Sequence, residues 1–206
     1  MNCDPIARWY WLLEHLAFGS ALQRARCRYL AELAAARNVL ALGDGDGRAL
    51  LALLQACPQA QVDYLDQSAQ MLRLAKERVA RAGWSHRVIF LQADARTHRF
   101  TGVYDAVVSH FFFDCFDVGD AAAIIDRVSA STSANAVWLV SEFRESARWM
   151  RGVVRVLYFF FRMTTGLRTS AVANYAAHLR SVGFRRVEQT QSCGGLLAAE
   201  LWHREK

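Results

Sequence analysis

The stretch that most constrains the fold of this 206-residue chain is 38–48, where an apolar run leads into Gly43, Gly45 and Gly47. Apolar residues then recur at helical spacing over 48–54. This pattern is typical of a buried strand, a tight turn and the beginning of a helix, which together make the first half of a βαβ unit. Glycine permits a positive φ in such a turn and lets a ligand approach bare backbone. The stretch therefore predicts an α/β fold with a ligand at the turn.

The spacing of these residues narrows the class of ligand. A dinucleotide-binding fingerprint would require a third glycine where this chain has Arg48. Asp44 and Asp46 lie within the turn, so a pyrophosphate at this helix N-terminus would face two carboxylates. A ligand with a sulfonium or an amino group would suit them better. Asp66 ends a second predicted strand, where doubly wound folds hold a ribose diol.

Four segments resemble, in family order, the motifs of class I S-adenosylmethionine-dependent methyltransferases. They are Val39–Gly47 for the glycine-rich motif, Asp66–Leu72 for the ribose motif, Phe90–Ala95 for the third motif and Tyr104–His110 for the fourth strand. The resemblance spans about residues 36–203 and implies a three-layer αβα, Rossmann-like fold. Its seven-stranded sheet would be mostly parallel with an antiparallel last strand. The resemblance implies S-adenosylmethionine as cofactor and S-adenosylhomocysteine as product.

The resemblance also implies which residues contact the cofactor. The implied contacts are Gly43, Asp44, Gly45, Gly47, Asp66, Gln67, Met71, Asp94, Ala95, Ser109 and His110. Asp94 would meet the adenine amino group. The acidic residue that the family often has two positions before the first glycine is Ala41 here. The methionine amino group must then be bound by another group, such as Asp44 or a backbone carbonyl.

Candidate catalytic residues follow from the need to remove a proton when the acceptor is a hydroxyl. They are His110, Asp114 and His15. His110 directly follows the fourth strand, and an imidazole suits a base near neutral pH; the alternative is that it only hydrogen-bonds backbone or cofactor. Asp114 would cap the next element or orient His110. Candidate acceptor contacts are Tyr10, Trp11, Phe111 and Glu142, of which Glu142 points either at the pocket or to a surface arginine.

Length predicts a single domain over 1–206, which the resemblance implies is a methyltransferase domain, with a helical cap over 1–36. The five cysteines show no CxxC spacing, which favours reduced thiols in a cytoplasmic protein and predicts neither a disulfide framework nor a zinc site. Carboxylates after the fourth strand lack a clear ligand spacing, so we expect no metal. The net charge of +6 comes mostly from arginine, and no window is long and apolar enough to predict a transmembrane helix.

A segment over 145–170 lies outside the minimal fold and is predicted to be a helical insertion after the fifth strand. Its arginines, Arg148, Arg151, Arg155 and Arg162, line one helix face beside an apolar one. Such a helix would cover a hydrophobic substrate, pack on the sheet with its arginines in water, or contact the inner membrane face peripherally through 145–165. Nucleic acid is not expected as a partner, because no Asn/Asp-Pro-Pro-aromatic motif follows the fourth strand.

The function predicted from these features is methyl transfer to a small hydrophobic acceptor that is aromatic, quinone-like or lipid-derived. The ending Gln191–Leu201 is similar to the last hairpin of ubiquinone and menaquinone biosynthesis methyltransferases. Two alternatives stay open. One is a catalytically silent scaffold that binds S-adenosylmethionine, and the other is an aminopropyl transferase similar to polyamine synthases.

Overall fold

A central sheet organises the computed structural model, which describes residues 18–144 and 175–205. Within these residues seven strands pair in the order β3-β2-β1-β4-β5-β7-β6. The strands are β1 (Asn38–Leu42), β2 (Gln61–Asp66), β3 (Val88–Gln92), β4 (Tyr104–His110), β5 (Thr132–Phe143), β6 (Phe184–Ser192) and β7 (Leu197–Arg204). Strands β1 to β5 pair in parallel, whereas β7 runs antiparallel to both of its neighbours. The predicted fold class is confirmed.

Helices cover both faces of the sheet. They are α1 (Ala21–Cys27), α2 (Arg48–Ala56), α3 (Ala69–Arg81), α4 (Val118–Ser129) and α5 (Tyr175–Ser181). Strand β1 shows how the sequence produces the layers: Val39 and Ala41 pack in the cluster that includes α1, α2 and α3, and Leu40 and Leu42 pack towards α4 and α5. Because successive side chains point to opposite faces, a continuously apolar strand is covered on both sides.

The N-terminal helices depart from the prediction. The helical cap predicted over 1–36 is interrupted in its described part, since α1 ends at Cys27 and a 3₁₀ turn follows at Leu30–Leu33. Between them the Tyr29 hydroxyl lies 2.8 Å from Thr190 Oγ1 on β6. This contact between distant parts of the chain is made where the helix ends, and local helical periodicity does not reveal it.

The end of α2 is held by a buried arginine. Arg87 Nε donates to the carbonyl of Ala60 at 3.1 Å, and its Nη1 donates to that of Leu54 at 2.9 Å. Its Nη2 donates to the carbonyl of Cys57. The last carbonyls of a helix lack partners within the helix, and the guanidinium supplies donors to carbonyls at the end of α2 and in the turn that follows it.

Some predictions fall outside the described residues. These are the cap over 1–17 with Tyr10, Trp11 and His15, and the arginine-bearing insertion at 145–170. Among the described residues, no helix is long and apolar enough to cross a membrane.

Candidate active site

A cleft opens where β1, β2 and β4 end, at the carboxyl edge of the parallel strands. It encloses about 580 Å³, including space open to solvent. Its described lining is Gly43, Gly45, Leu65, Asp66, Gln67, Met71, Ala93, Asp94, Ala95, Phe111, Phe112, Cys115 and Phe116. Open α/β sheets bind ligands at this edge, outside the strand ends.

The glycine loop, residues 43–47, forms one wall. Its three glycines all have a positive φ, but their surroundings differ. Gly43, Gly45 and Gly47 have φ angles of 59°, 76° and 81°. A Cβ on Gly43 would overlap the ring of Phe112, and one on Gly47 would lie 2.8 Å from Cα of Ala75 on α3. At Gly45 a Cβ would meet nothing within 4 Å. The loop thus presents bare backbone to the cleft at Gly45 and packs tightly on either side.

The two aspartates of the glycine loop are not among the described residues that line the cleft. Asp46 accepts from Arg48 Nε at 3.0 Å and from Arg78 Nη2 at 3.2 Å, while Arg78 Nε donates to its backbone carbonyl. Asp44 Oδ2 accepts from the amide of Leu50 at 3.0 Å, in the first turn of α2. Burial raises the pKa of Asp44 to about 7. Both carboxylates hold the loop in place, which differs from the expectation that they face a cationic ligand.

The end of β2 carries the ribose candidate. Asp66 lies in the cleft beside Gln67 and Met71, and its Oδ1 accepts from the amide of Ser68 at 2.8 Å. The same strand supports the glycine loop, since the Tyr64 hydroxyl donates to the carbonyl of Gly45 at 2.8 Å. The structure therefore brings Asp66 and the glycine backbone into one cleft, as the sequence predicts.

Asp94 also lies in the cleft, with its carboxylate engaged by a neighbour. Arg96 Nε lies 3.0 Å from each carboxylate oxygen, and its Nη2 lies 2.6 Å from Oδ2. Hydrogen bonds from Arg96 lower the pKa of Asp94. Next to it, Ala95 accepts at its carbonyl from Arg127 on α4 at 2.9 Å. This edge of the cleft is fixed by guanidinium groups, which the family motif does not reveal.

The aromatic loop, residues 111–116, forms the opposite wall. Phe111 has a φ of 54°, and its amide donates to the carbonyl of Ser141 at 2.6 Å. The rings of Phe112 and Phe116 lie 4.9 Å apart between centroids. The sequence pattern identified Phe111 alone, although the four-residue spacing from Phe112 to Phe116 was the available signal for the remaining wall.

His110 and Ser109 lie behind this wall and are not among its described lining residues. His110 Nδ1 is 3.0 Å from Ser141 Oγ, which in turn donates to the carbonyl of Ala25 at 3.1 Å. Because the single serine proton goes to Ala25, Nδ1 carries the hydrogen and donates to Ser141. Burial and the nearby Arg26 lower the pKa of His110 to about 3. Ser109 accepts from Trp138 Nε1 at 2.9 Å. This geometry does not favour His110 as a base.

Two acidic candidates are buried at the aromatic loop, Glu142 on β5 and Asp114 within the loop itself. Glu142 accepts at Oε1 from the amides of Phe112 and Phe113, at 2.9 and 2.8 Å. Asp114 is only 7% exposed, and burial raises its pKa to about 6. Neither is among the described lining residues of the cleft. In the described part of the chain, no group of three or more His, Cys, Asp or Glu residues is placed to hold a metal ion.

Comparisons with known proteins agree with this architecture. A family model described as a methyltransferase domain matches residues 39–135. Residues 39–135 thus carry a methyltransferase domain. The matched segment contains the glycine loop, Asp66, Asp94 and the aromatic loop, and it ends before Glu142.

A curated methyltransferase is similar to part of this chain. A tRNA1(Val) (adenine(37)-N6)-methyltransferase of Glaesserella parasuis serovar 5 (strain SH0165) is 28% identical over 121 residues, which is 59% of this chain and 50% of that protein. The chain thus spans about half the length of this curated relative.

Two solved structures share the fold of the methyltransferase domain. The mitomycin 7-O-methyltransferase MmcR gives a TM-score of 0.72 at 16% identity, covering 99% of this chain and 61% of that one. The N-methyltransferase NodS from Bradyrhizobium japonicum WM9, in complex with S-adenosyl-L-homocysteine, gives 0.69 at 15% identity, covering 90% and 89%.

Proposed function

We propose that this chain binds S-adenosylmethionine in the cleft and transfers its methyl group to a small acceptor with an aromatic or other apolar surface. The observation that carries the proposal is the meeting of three features in one cleft. These are the bare backbone at Gly43 and Gly45, the carboxylate of Asp66 at the end of β2, and the wall made by the aromatic loop.

The residues of the cleft fit this cofactor. The glycine loop leaves room above Gly45, where a Cβ would meet no atom of residues 18–144 or 175–205 within 4 Å, its chain neighbours aside. Asp66 would accept from a ribose diol, in keeping with the place of this carboxylate in doubly wound folds. Asp94 is held by Arg96, yet a carboxylate has about four lone-pair sites, so an adenine amino group can share it.

Bound S-adenosylmethionine supplies an activated methyl group on a sulfonium. The protein's own contribution is then to align the acceptor and to exclude water. The aromatic loop serves both needs, because Phe111, Phe112 and Phe116 present rings to the cleft. His110, neutral and buried behind the wall, is not used as a base in this proposal. We therefore expect an acceptor whose nucleophile reacts without help from His110.

A small acceptor is preferred to tRNA, although the relative from Glaesserella parasuis is named for a tRNA adenine. In this chain β4 is followed by Phe111 and Phe112, and the motif typical of many enzymes that methylate exocyclic amines of bases is missing there. The apolar wall also favours a ligand with an apolar face. Peripheral membrane contact through 145–165 stays a prediction, which sedimentation with anionic vesicles would test.

The first experiment is calorimetric titration of the purified protein with S-adenosylmethionine, S-adenosylhomocysteine and NAD. We expect micromolar binding of the first two and none of NAD. If neither S-adenosylmethionine nor S-adenosylhomocysteine binds, the proposal is overturned. An acceptor screen follows, with quinones, phenols and lipids beside an unmodified tRNA. Methylation of tRNA alone would refute the small acceptor while leaving the cofactor in place.

A further inference from the structure

Glu142 is the most deeply buried acidic residue next to the cleft. Its side chain is 0% exposed, although it lies at the end of β5, where the strands open towards the cleft. A fully buried side chain that is not among the described lining residues is not placed to touch an acceptor. The sequence suggested that it points to the pocket or to a surface arginine, and the structure shows it bonded to backbone amides instead.

Three successive amides of the aromatic loop are attached to the end of β5. Phe111 donates to the carbonyl of Ser141, and Phe112 and Phe113 both donate to Glu142 Oε1. Phe111 has a positive φ, which is unfavourable for a bulky residue. Such a conformation persists when its surroundings hold it, and the two acceptors on β5 do so.

The aromatic loop is also bounded from the other side. The ring of Phe112 lies so close to Gly43 that a Cβ there would overlap it. Phe112 is thus placed between the glycine loop and its own amide bond to Glu142. If the bond were lost, the backbone of the loop could move away from Gly43 and the cleft would widen between its two walls.

The group that holds the loop is a single oxygen acceptor, Oε1 of Glu142. Burial, with the neighbouring Asp114 carboxylate, raises the pKa of Glu142 well above its usual value. Its second oxygen, Oε2, is buried and has no hydrogen-bond partner in the part of the chain that the structure describes. A glutamine in its place would keep a carbonyl oxygen for both amides.

We propose that Glu142 is a positioning residue that holds the aromatic loop against the glycine loop and so sets the width of the cofactor cleft. This inference rests on the proposed function, since the cleft is assigned there to S-adenosylmethionine. Glu142 lies beyond the residues matched by the family model, which end at 135.

The test compares Glu142→Gln and Glu142→Leu by titration with S-adenosylhomocysteine, and each variant's melting temperature is measured by calorimetry. Arg87→Met is the matched control, because it also removes buried hydrogen bonds to backbone but lies at the far end of α2. Titrations are run well below every melting temperature. If the leucine variant does not fold, Glu142→Asp takes its place. The aspartate side chain is shorter by one methylene, so its oxygens lie further from the two amides.

We expect Glu142→Leu to raise the Kd of S-adenosylhomocysteine about ten-fold, corresponding to the loss of one or two aromatic contacts. Glu142→Gln should restore the wild-type Kd, and Glu142→Asp should fall between them. Arg87→Met should lower the melting temperature and leave the Kd unchanged.

Two failures are distinguishable. If the wild type does not bind S-adenosylhomocysteine, the proposed function itself fails. If the wild type binds and Glu142→Leu, or Glu142→Asp in its place, binds equally well, the positioning role alone is refuted. A glutamine variant that binds as weakly as the leucine variant would also refute it.

Discussion

The two loops that face each other across the cleft are held in opposite ways. The glycine loop is fixed by charge: Asp46 pairs with Arg48 and Arg78. The aromatic loop is fixed by Glu142, a buried side chain whose Oε1 accepts from two backbone amides of the loop and whose pKa burial raises well above its usual value. The glycine loop thus depends on ion pairs with a neighbouring residue in the chain and with a residue of α3. The aromatic loop depends on an acceptor from β5, about 30 positions further along the chain.

The largest expected effect on stability is that of Gly47→Ala in the glycine loop. A Cβ there would lie 2.8 Å from Cα of Ala75, and the residue has a φ of 81°. Strain and overlap together should lower the free energy of unfolding by about 3 kcal/mol. The control is Gly83→Ala, which has a φ of 77° but open space around it, and should lose only about 1 kcal/mol. Equal losses in urea titrations would show that packing on α3 does not matter.

The next effect is on cofactor affinity. Asp66→Ala should weaken S-adenosylmethionine binding roughly ten-fold or more, because hydrogen bonds to charged groups contribute about 1.5–3 kcal/mol. Asp66→Asn retains an oxygen acceptor for the amide of Ser68. It therefore separates the effect of losing the local turn from the effect of losing the carboxylate that would bind the ligand. An unchanged Kd in calorimetry would mean that the ribose is bound elsewhere.

The third prediction concerns pH and the second aspartate of the glycine loop. Burial raises the pKa of Asp44 from 3.8 to about 7, so between these values the folded state holds a proton that the unfolded state has lost. Its contribution to stability is therefore complete below about pH 4 and is lost as the pH rises through 7. Asp44→Asn should remove this dependence. Between about pH 5 and pH 8, the free energy of unfolding of the Asp44→Asn variant should therefore fall by about 2–3 kcal/mol less than that of the wild type.

The control for this pH series is Glu77→Gln, which changes a carboxylate on the outer surface of α3 and should follow the wild-type curve. Parallel curves for wild type and Asp44→Asn in urea titrations would contradict a buried, protonated Asp44.

The smallest expected effect is that of Arg78→Met. Asp46 would keep its pair with Arg48, and Arg78 is about one-third exposed, so solvent weakens the lost pair. We expect a loss of about 1 kcal/mol or less, which shrinks further when salt is added. A loss as large as that of Gly47→Ala would show that the ion pair, more than glycine packing, holds this wall.

The sequence predicted those parts of the fold that local patterns determine. The seven-stranded, mostly parallel sheet is confirmed, because apolar runs and glycine turns mark its strands. Strand β5 begins at Thr132, where polar residues give no strand signal. The end of α1 was missed because Tyr29 contacts Thr190, far along the chain.

The site was predicted less completely, for the same reason. Gly43, Gly45 and Asp66 lie in the cleft because their places follow from the strand-turn-helix pattern. His110 contacts Ser141 on β5, 31 positions away, and Glu142 accepts from Phe112 and Phe113, 30 and 29 positions away. No motif records which acceptor will meet which amide across the sheet. Burial then changes the chemistry of both groups, lowering one pKa and raising the other.

The contact between Gly43 and Phe112 has a consequence for how this protein could change over evolution. Since a methyl group at position 43 would occupy the space of the Phe112 ring, the two positions cannot vary independently. Any lineage that replaces the glycine must first shrink the aromatic residue, and a smaller residue there would reshape the pocket offered to an acceptor. A change in the shape of the cleft and a change in the glycine loop would then arrive as one linked event.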